Sequence, residues 1–138
     1  MRLSVSIALL CALAGCTEPA DPAANLDLHR LPTTVTLSLG QTVEVAGTVV
    51  GFEGVNSDSR CASDLICVWA GNAEVRITIG PAVGEGPTYL VTLNTTLEPR
   101  NSDEVHGLVV TLVNLLPNPV STETTRHYRA VIRIERAP

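Results

Sequence analysis

The chain has 138 residues, enough for one small domain, and its 14 acidic and 9 basic residues give a formal net charge of −5 at pH 7. All nine basic residues are arginine, and aromatic residues make up only 3% of the chain. An acidic surface argues against nucleic acid and against anionic lipid as partners. The scarcity of aromatic rings predicts a core of valine, leucine and isoleucine.

The first 15 residues resemble the signal peptide of a bacterial lipoprotein. One charged residue, Arg2, precedes a short apolar run, and the segment ends in the lipobox-like sequence Leu13-Ala14-Gly15-Cys16. The run is too short to span a bilayer as a helix, which takes about 20 apolar residues. The resemblance implies that residues 1–15 are removed and that Cys16 carries a thioether-linked diacylglycerol, with its new amine open to acylation. An ordinary secretory signal, with Cys16 incidental, is the alternative.

Residues 16–30 are predicted to be the lipidated cysteine followed by a flexible tether. The tether is predicted because the segment is rich in proline and alanine and has no periodicity. Thr17 follows the cysteine where lipoproteins kept in the inner membrane usually carry aspartate. The resemblance therefore implies anchoring in the cell envelope, in the outer membrane where the cell has one. More than one acyl chain is needed for stable anchoring.

Residues 31–138 predict a single all-β domain. Polar and apolar residues alternate in several short segments separated by glycine, proline and asparagine, and no segment has helical periodicity. Six or seven antiparallel strands in a β-sandwich or small barrel, with one short disulfide loop, are the expected fold. The predicted strands cover residues 34–39, 42–52, 73–79, 88–93, 106–116 and 127–136.

The two cysteines of this domain, Cys61 and Cys67, are expected to be bonded to each other, since an exported protein folds in an oxidising compartment. The bridge closes a small loop and would stabilise the fold by roughly 2–3 kcal/mol. Trp69 lies two residues past the bridge and could cover the disulfide from the core side. A redox dithiol and a zinc site are the alternatives, although a dithiol more usually has C-x-x-C spacing and the three histidines are scattered singly.

The segment from Asp58 to Ala73 resembles a motif of a group of small bacterial secreted proteins and lipoproteins, D-S-R-C-(P)-x4-C-x-W-x-G-x-A. Ala62 stands where proline is common in that group. A weaker likeness continues through residues 93–97 and 112–119 to the C-terminal strand. The resemblance brings no activity with it, because none is established for the group.

Two interpretations of Asp58, Arg60 and Trp69 follow. In the first, Asp58 and Arg60 pair or bond backbone groups in the cysteine loop, and Trp69 belongs to the core. In the second, the three form a recognition patch, since arginine and tryptophan are common in binding hot spots. His106 follows two acidic residues and could bind a cation, although a solvated loop histidine is the simpler interpretation.

Motifs of nucleophilic, zinc-dependent or nucleotide-dependent enzymes are absent from the sequence. We therefore expect no catalytic residue, no metal and no cofactor. The expected function is a non-catalytic envelope domain that binds a protein or peptide in the periplasm or at the cell surface. The alternative is a small-ligand carrier or an enzyme whose site is assembled from distant residues, for example a pocket lined by Trp69, His106, Tyr128 and Arg129.

Overall fold

The structure, a computed structural model, describes residues 30–84, 86–124 and 126–138, and within these ranges the chain is all-β. Eight strands are formed: β1 (Thr33–Ser38), β2 (Thr42–Val45), β3 (Thr48–Asp58), β4 (Ala73–Pro81), β5 (Tyr89–Asn94), β6 (Ser102–Val105), β7 (Leu108–Leu116) and β8 (Arg129–Arg136). Across these ranges no helix is long and apolar enough to cross a membrane. The predicted signal peptide, Cys16 and the predicted tether up to residue 29 lie outside the described residues.

The strand count exceeds the predicted six or seven because of two tight turns. The predicted strand over 42–52 is a hairpin, in which Ala46 and Gly47, with φ values of 50° and 78°, separate β2 from β3. His106 and Gly107, with φ values of 53° and 71°, form the same kind of turn between β6 and β7. Strand β6 is not predicted from the sequence. Two-residue turns with positive φ at both positions match the twist of antiparallel strands.

The strands form two antiparallel sheets, ordered β1-β8-β7-β6 and β2-β3-β4-β5, so the architecture is the predicted β-sandwich. Buried and outward-facing residues alternate along the strands, as in β4, where Ala73, Val75, Ile77 and Ile79 are buried. The core between the sheets is aliphatic, as expected, and among the described residues Phe52 is the only aromatic side chain fully buried in it.

The strand registers define two ends of the sandwich. Arg129, at the start of β8, pairs with Ser38 and Leu116, which end β1 and β7. Thr33, at the start of β1, pairs instead with Ile134, five residues further along β8 and so about 17 Å away. The β3–β4 connection lies at the end of the sandwich where β7 leads into β8, because Arg60 in that connection binds the carbonyl of Leu115. The first described strand, β1, begins at the opposite end.

Candidate functional site

The cysteine loop, residues 59–72, connects β3 to β4 and is closed by the expected disulfide. The Cys61 and Cys67 sulfurs are 2.06 Å apart and their Cα atoms 6.0 Å apart. Two backbone hydrogen bonds extend the hairpin into the loop: the amides of Ser59 and Cys61 donate to the carbonyls of Asn72 and Ala70 over 2.7 and 2.8 Å. The loop is thus a continuation of the sheet that is closed at its far end.

Gly71 is required where the two arms of the loop pass each other. Its φ is +71°, and a Cβ built on it would lie 1.9 Å from the carbonyl oxygen of Ser59. A side chain at this position would both strain the backbone and collide with the opposite arm.

Asp58 lies at the base of the loop and binds two arginines. Its carboxylate accepts hydrogen bonds from Nε and Nη2 of Arg60 at 2.9 and 2.8 Å. Nη1 of Arg126 and the hydroxyl of Tyr128 each donate to the same carboxylate at 3.0 Å. Burial opposes ionisation of this carboxyl, but the hydrogen bonds and charge of Arg60, with the Tyr128 hydroxyl, outweigh it and lower the pKa of Asp58 to about 2.

Arg60 also fastens the loop to the opposite sheet. Its guanidinium donates to the carbonyl oxygens of Leu115 and Pro117, at the end of β7 and just beyond it. The side chains of Asp58 and Arg60 are only 4% and 10% exposed. Both are therefore covered, and their geometry is that of paired residues that hold the loop, not of a surface patch.

A second attachment joins the loop to the β7–β8 connection. The amide and hydroxyl of Ser63 both donate to the carbonyl of Pro119, at 2.8 and 3.1 Å. The carboxylate of Asp64 accepts hydrogen bonds from the amide and the hydroxyl of Ser121, and these bonds lower the pKa of Asp64. Both attachments are made by the arm of the loop that follows β3, one by Arg60 and the other by Ser63 and Asp64.

A polar network on the other side also supports the loop. The Asn72 side chain donates to Oδ1 of the buried Asn94 at 2.7 Å, and its own Oδ1 accepts from the Thr95 amide and from the hydroxyls of Thr95 and Thr96. Asn94 in turn donates to the carbonyl of Arg100 at 3.0 Å. The loop is therefore fixed to β5 as well as to β7.

The end of the loop is apolar and exposed, and we call its four large side chains the apolar tip. Leu65 is 55% exposed, Ile66 105%, Val68 91% and Trp69 81%. The expectation that Trp69 covers the disulfide from the core side is wrong, because Trp69 is exposed and lies in the loop beyond the last paired residues of β3 and β4. Of the three residues proposed for a recognition patch, Trp69 alone is at the surface.

The backbone of the apolar tip has open hydrogen-bonding groups. Leu65 donates its amide to the carbonyl of Ala62 and closes a turn. The amides of the next four residues, 66–69, donate to none of the residues that the structure describes. The tip thus combines apolar side chains with backbone amides that have no partner in the part of the chain that the structure describes.

Sequence reasoning missed three of the four tip residues. A signal was present, since Leu65, Ile66 and Val68 are apolar residues inside a loop, where polar residues are the rule. The fastening partners Ser121 and Arg126 carried no such signal, because they lie 57 and 68 residues from the carboxylates they bind.

The residues suggested for a small-ligand pocket lie apart. Tyr128 and Arg129 line one shallow surface pocket, and His106 lines another beside Tyr89, their rings in a T-shaped contact with centroids 5.5 Å apart. Trp69 lines neither of them. Within residues 30–84, 86–124 and 126–138, no three histidine, cysteine or acidic side chains are grouped so as to hold a metal ion. The acidic residues before His106 thus form no such group with it.

No protein-family model, no curated protein and no solved structure matches the chain. What the fold and the loop define is a β-sandwich that presents a fastened, disulfide-closed loop with an apolar tip.

Proposed function

We propose that this protein is a lipoprotein of the bacterial cell envelope, anchored through Cys16, whose non-catalytic β-sandwich binds a protein or peptide ligand through the apolar tip. The observation that carries the proposal is the exposure of four large apolar side chains on one fastened loop. Contiguous exposed apolar residues on a soluble domain usually mark an interaction site. The disulfide between Cys61 and Cys67 suits an oxidising compartment.

The energetics support binding at the tip. Burying a large apolar side chain contributes about 1.5–3 kcal/mol, so the four together offer a gross gain of roughly 6–12 kcal/mol. Association costs an estimated 4–15 kcal/mol in lost motion, and flexible loops add to that cost. Because the cysteine loop is already held by its disulfide and by Arg60, Ser63 and Asp64, little of its freedom remains to be lost.

The position of the tip also suits a partner beyond the anchoring membrane. A tether ending at residue 30 would join the sandwich beside Thr33, at the end opposite to the cysteine loop. An anchor at Cys16 would therefore be attached to the sandwich at the end opposite to the apolar tip, which leaves the tip free to contact a partner.

Site-specific photo-crosslinking in intact host cells tests the proposal. A benzophenone side chain replaces Ile66 in the tip or, as a matched control, Val83, which is 89% exposed in the β4–β5 connection. We expect a discrete protein adduct from position 66 and none from position 83. Trp69→Asp should abolish the adduct. Equal adducts from both positions, or no protein adduct from position 66, would contradict the proposal.

A further inference from the structure

The apolar tip has a shape that restricts its partner. It is the convex end of a hairpin-like loop, and four side chains of this size expose on the order of 500 Å² of apolar surface. Each side of a stable protein–protein interface contributes about 800 Å². The tip alone is smaller than one side of such an interface, so a partner that binds tightly must also contact the sides of the loop around it.

A second copy of the chain does not meet this requirement at the tip. Two convex tips that meet end to end cover less of each other than either exposes, because each contacts the other from one side only. A concave partner encloses Ile66, Val68 and Trp69 from several sides and adds its own walls to the contact area.

A lipid surface is disfavoured by the backbone and by charge. The four amides of residues 66–69 have no partner among the described residues, and an unsatisfied backbone group costs several kcal/mol in hydrocarbon. Asp64 is the only charged residue in 61–71, so the tip has no basic residue to attract anionic lipid. A protein cleft can supply both apolar pockets and hydrogen-bond acceptors.

We propose, building on the proposed function, that the partner is a protein with a concave apolar cleft whose walls carry hydrogen-bond acceptors, and that the tip enters it as a plug. The Trp69 ring and the side chains of Ile66 and Val68 fill the cleft. The amides of residues 66–69 donate to acceptors on its walls.

Fluorine NMR tests the enclosure of the tip directly. Trp69 is the only tryptophan, so labelling with 5-fluorotryptophan gives one resonance that an unlabelled partner does not obscure. The Cys16→Ser chain is used so that no anchor is present, and the partner is the protein identified by crosslinking from position 66. The difference in chemical shift between H₂O and D₂O reports whether solvent reaches the ring.

We expect this solvent effect in the free protein, at low and high protein concentration, and in the presence of phosphatidylcholine or phosphatidylglycerol vesicles. It should disappear in the complex with the partner. Loss of the effect on vesicles alone would identify a lipid surface, and loss on raising the protein concentration would identify a second copy. Either outcome overturns the proposal.

A ring that stays solvent-accessible in the complex would overturn the enclosing cleft while leaving the proposed function intact. The absence of any protein adduct from position 66 would contradict both the enclosing cleft and the proposed function. Hydrogen exchange over residues 62–70 provides the second measurement: the amides of residues 66–69 should exchange at least tenfold more slowly in the complex. Unchanged exchange would overturn the pairing with acceptors.

Discussion

Replacing Asp58 by asparagine tests whether the charge at the base of the cysteine loop stabilises the fold. The carboxylate is 4% exposed and accepts hydrogen bonds from Arg60, Arg126 and Tyr128. Asparagine has nearly the same size, so Asp58→Asn leaves the packing in place and removes the charge. Two largely covered guanidinium groups would then lack their anion.

The size of the expected destabilisation follows from the pKa of Asp58, which the fold lowers from 3.8 to about 2. At 1.36 kcal/mol per pH unit, this difference corresponds to roughly 2–3 kcal/mol of stability. Removing one partner from a buried ion pair costs about 3–5 kcal/mol. We therefore expect Asp58→Asn to lower the free energy of unfolding at pH 7 by about 2–5 kcal/mol.

The direction in which the stabilisation by Asp58 changes with pH also follows from its lowered pKa. Because the pKa of Asp58 is lower in the folded state, its contribution is fully present above about pH 4 and is lost as the pH falls through about 2. The difference in unfolding free energy between the unsubstituted protein and Asp58→Asn should shrink over that window.

Urea unfolding followed by far-ultraviolet circular dichroism measures both effects, whereas the exposed Trp69 would make tryptophan fluorescence a poor probe. The control is Asp103→Asn, which breaks an ion pair whose Arg100 side chain is 63% exposed and should cost at most about 1 kcal/mol. Equal losses for the two variants at pH 7 would refute the reasoning. So would a gap between Asp58→Asn and the unsubstituted protein that stays constant on acidification.

The remaining predictions concern the loop and the anchor. Trp69→Ala should change the unfolding free energy by less than about 0.5 kcal/mol, and a loss of several kcal/mol would show a buried ring. Serine at both Cys61 and Cys67 should cost about 2 kcal/mol in urea unfolding, and no loss would contradict a stabilising bridge. Gly71→Ala should cost roughly 3 kcal/mol by the same measurement, with an unchanged midpoint contradicting the steric argument. Cys16→Ser should move the protein from the membrane to the soluble fraction; continued membrane retention would contradict the anchor.

The sequence was sufficient to predict the fold class because each sheet buries one face, and this produces the alternation of polar and apolar residues along the strands. The same alternation made the turn between β2 and β3 undetectable. A two-residue turn such as Ala46-Gly47 leaves the alternation of the flanking strands uninterrupted, so β2 and β3 resemble one strand. β6 was missed because its four residues, Ser-Asp-Glu-Val, contain a single apolar side chain.

The candidate site could be predicted only in part. Counting the cysteines of a domain that its N-terminal segment predicts to be exported was enough to pair Cys61 with Cys67. The exposure of Trp69 depends on where the loop stands relative to the sheets, and that position is set by contacts with Pro119 and Ser121, far along the chain. Local sequence carries no record of such contacts, so the ring was expected in the core.

The cysteine loop reverses the usual distribution of side chains in a small domain. Its charged pair, Asp58 and Arg60, is covered, and its largest apolar side chains, including Ile66 and Trp69, are exposed. Covered charges tie the loop to both sheets, but folding alone gains nothing from exposed apolar groups at its end. The two sets of residues should therefore separate experimentally: Asp58→Asn weakens the fold, whereas Trp69→Ala leaves the fold intact and weakens binding. This separation is what a rigid loop built to present a binding surface requires.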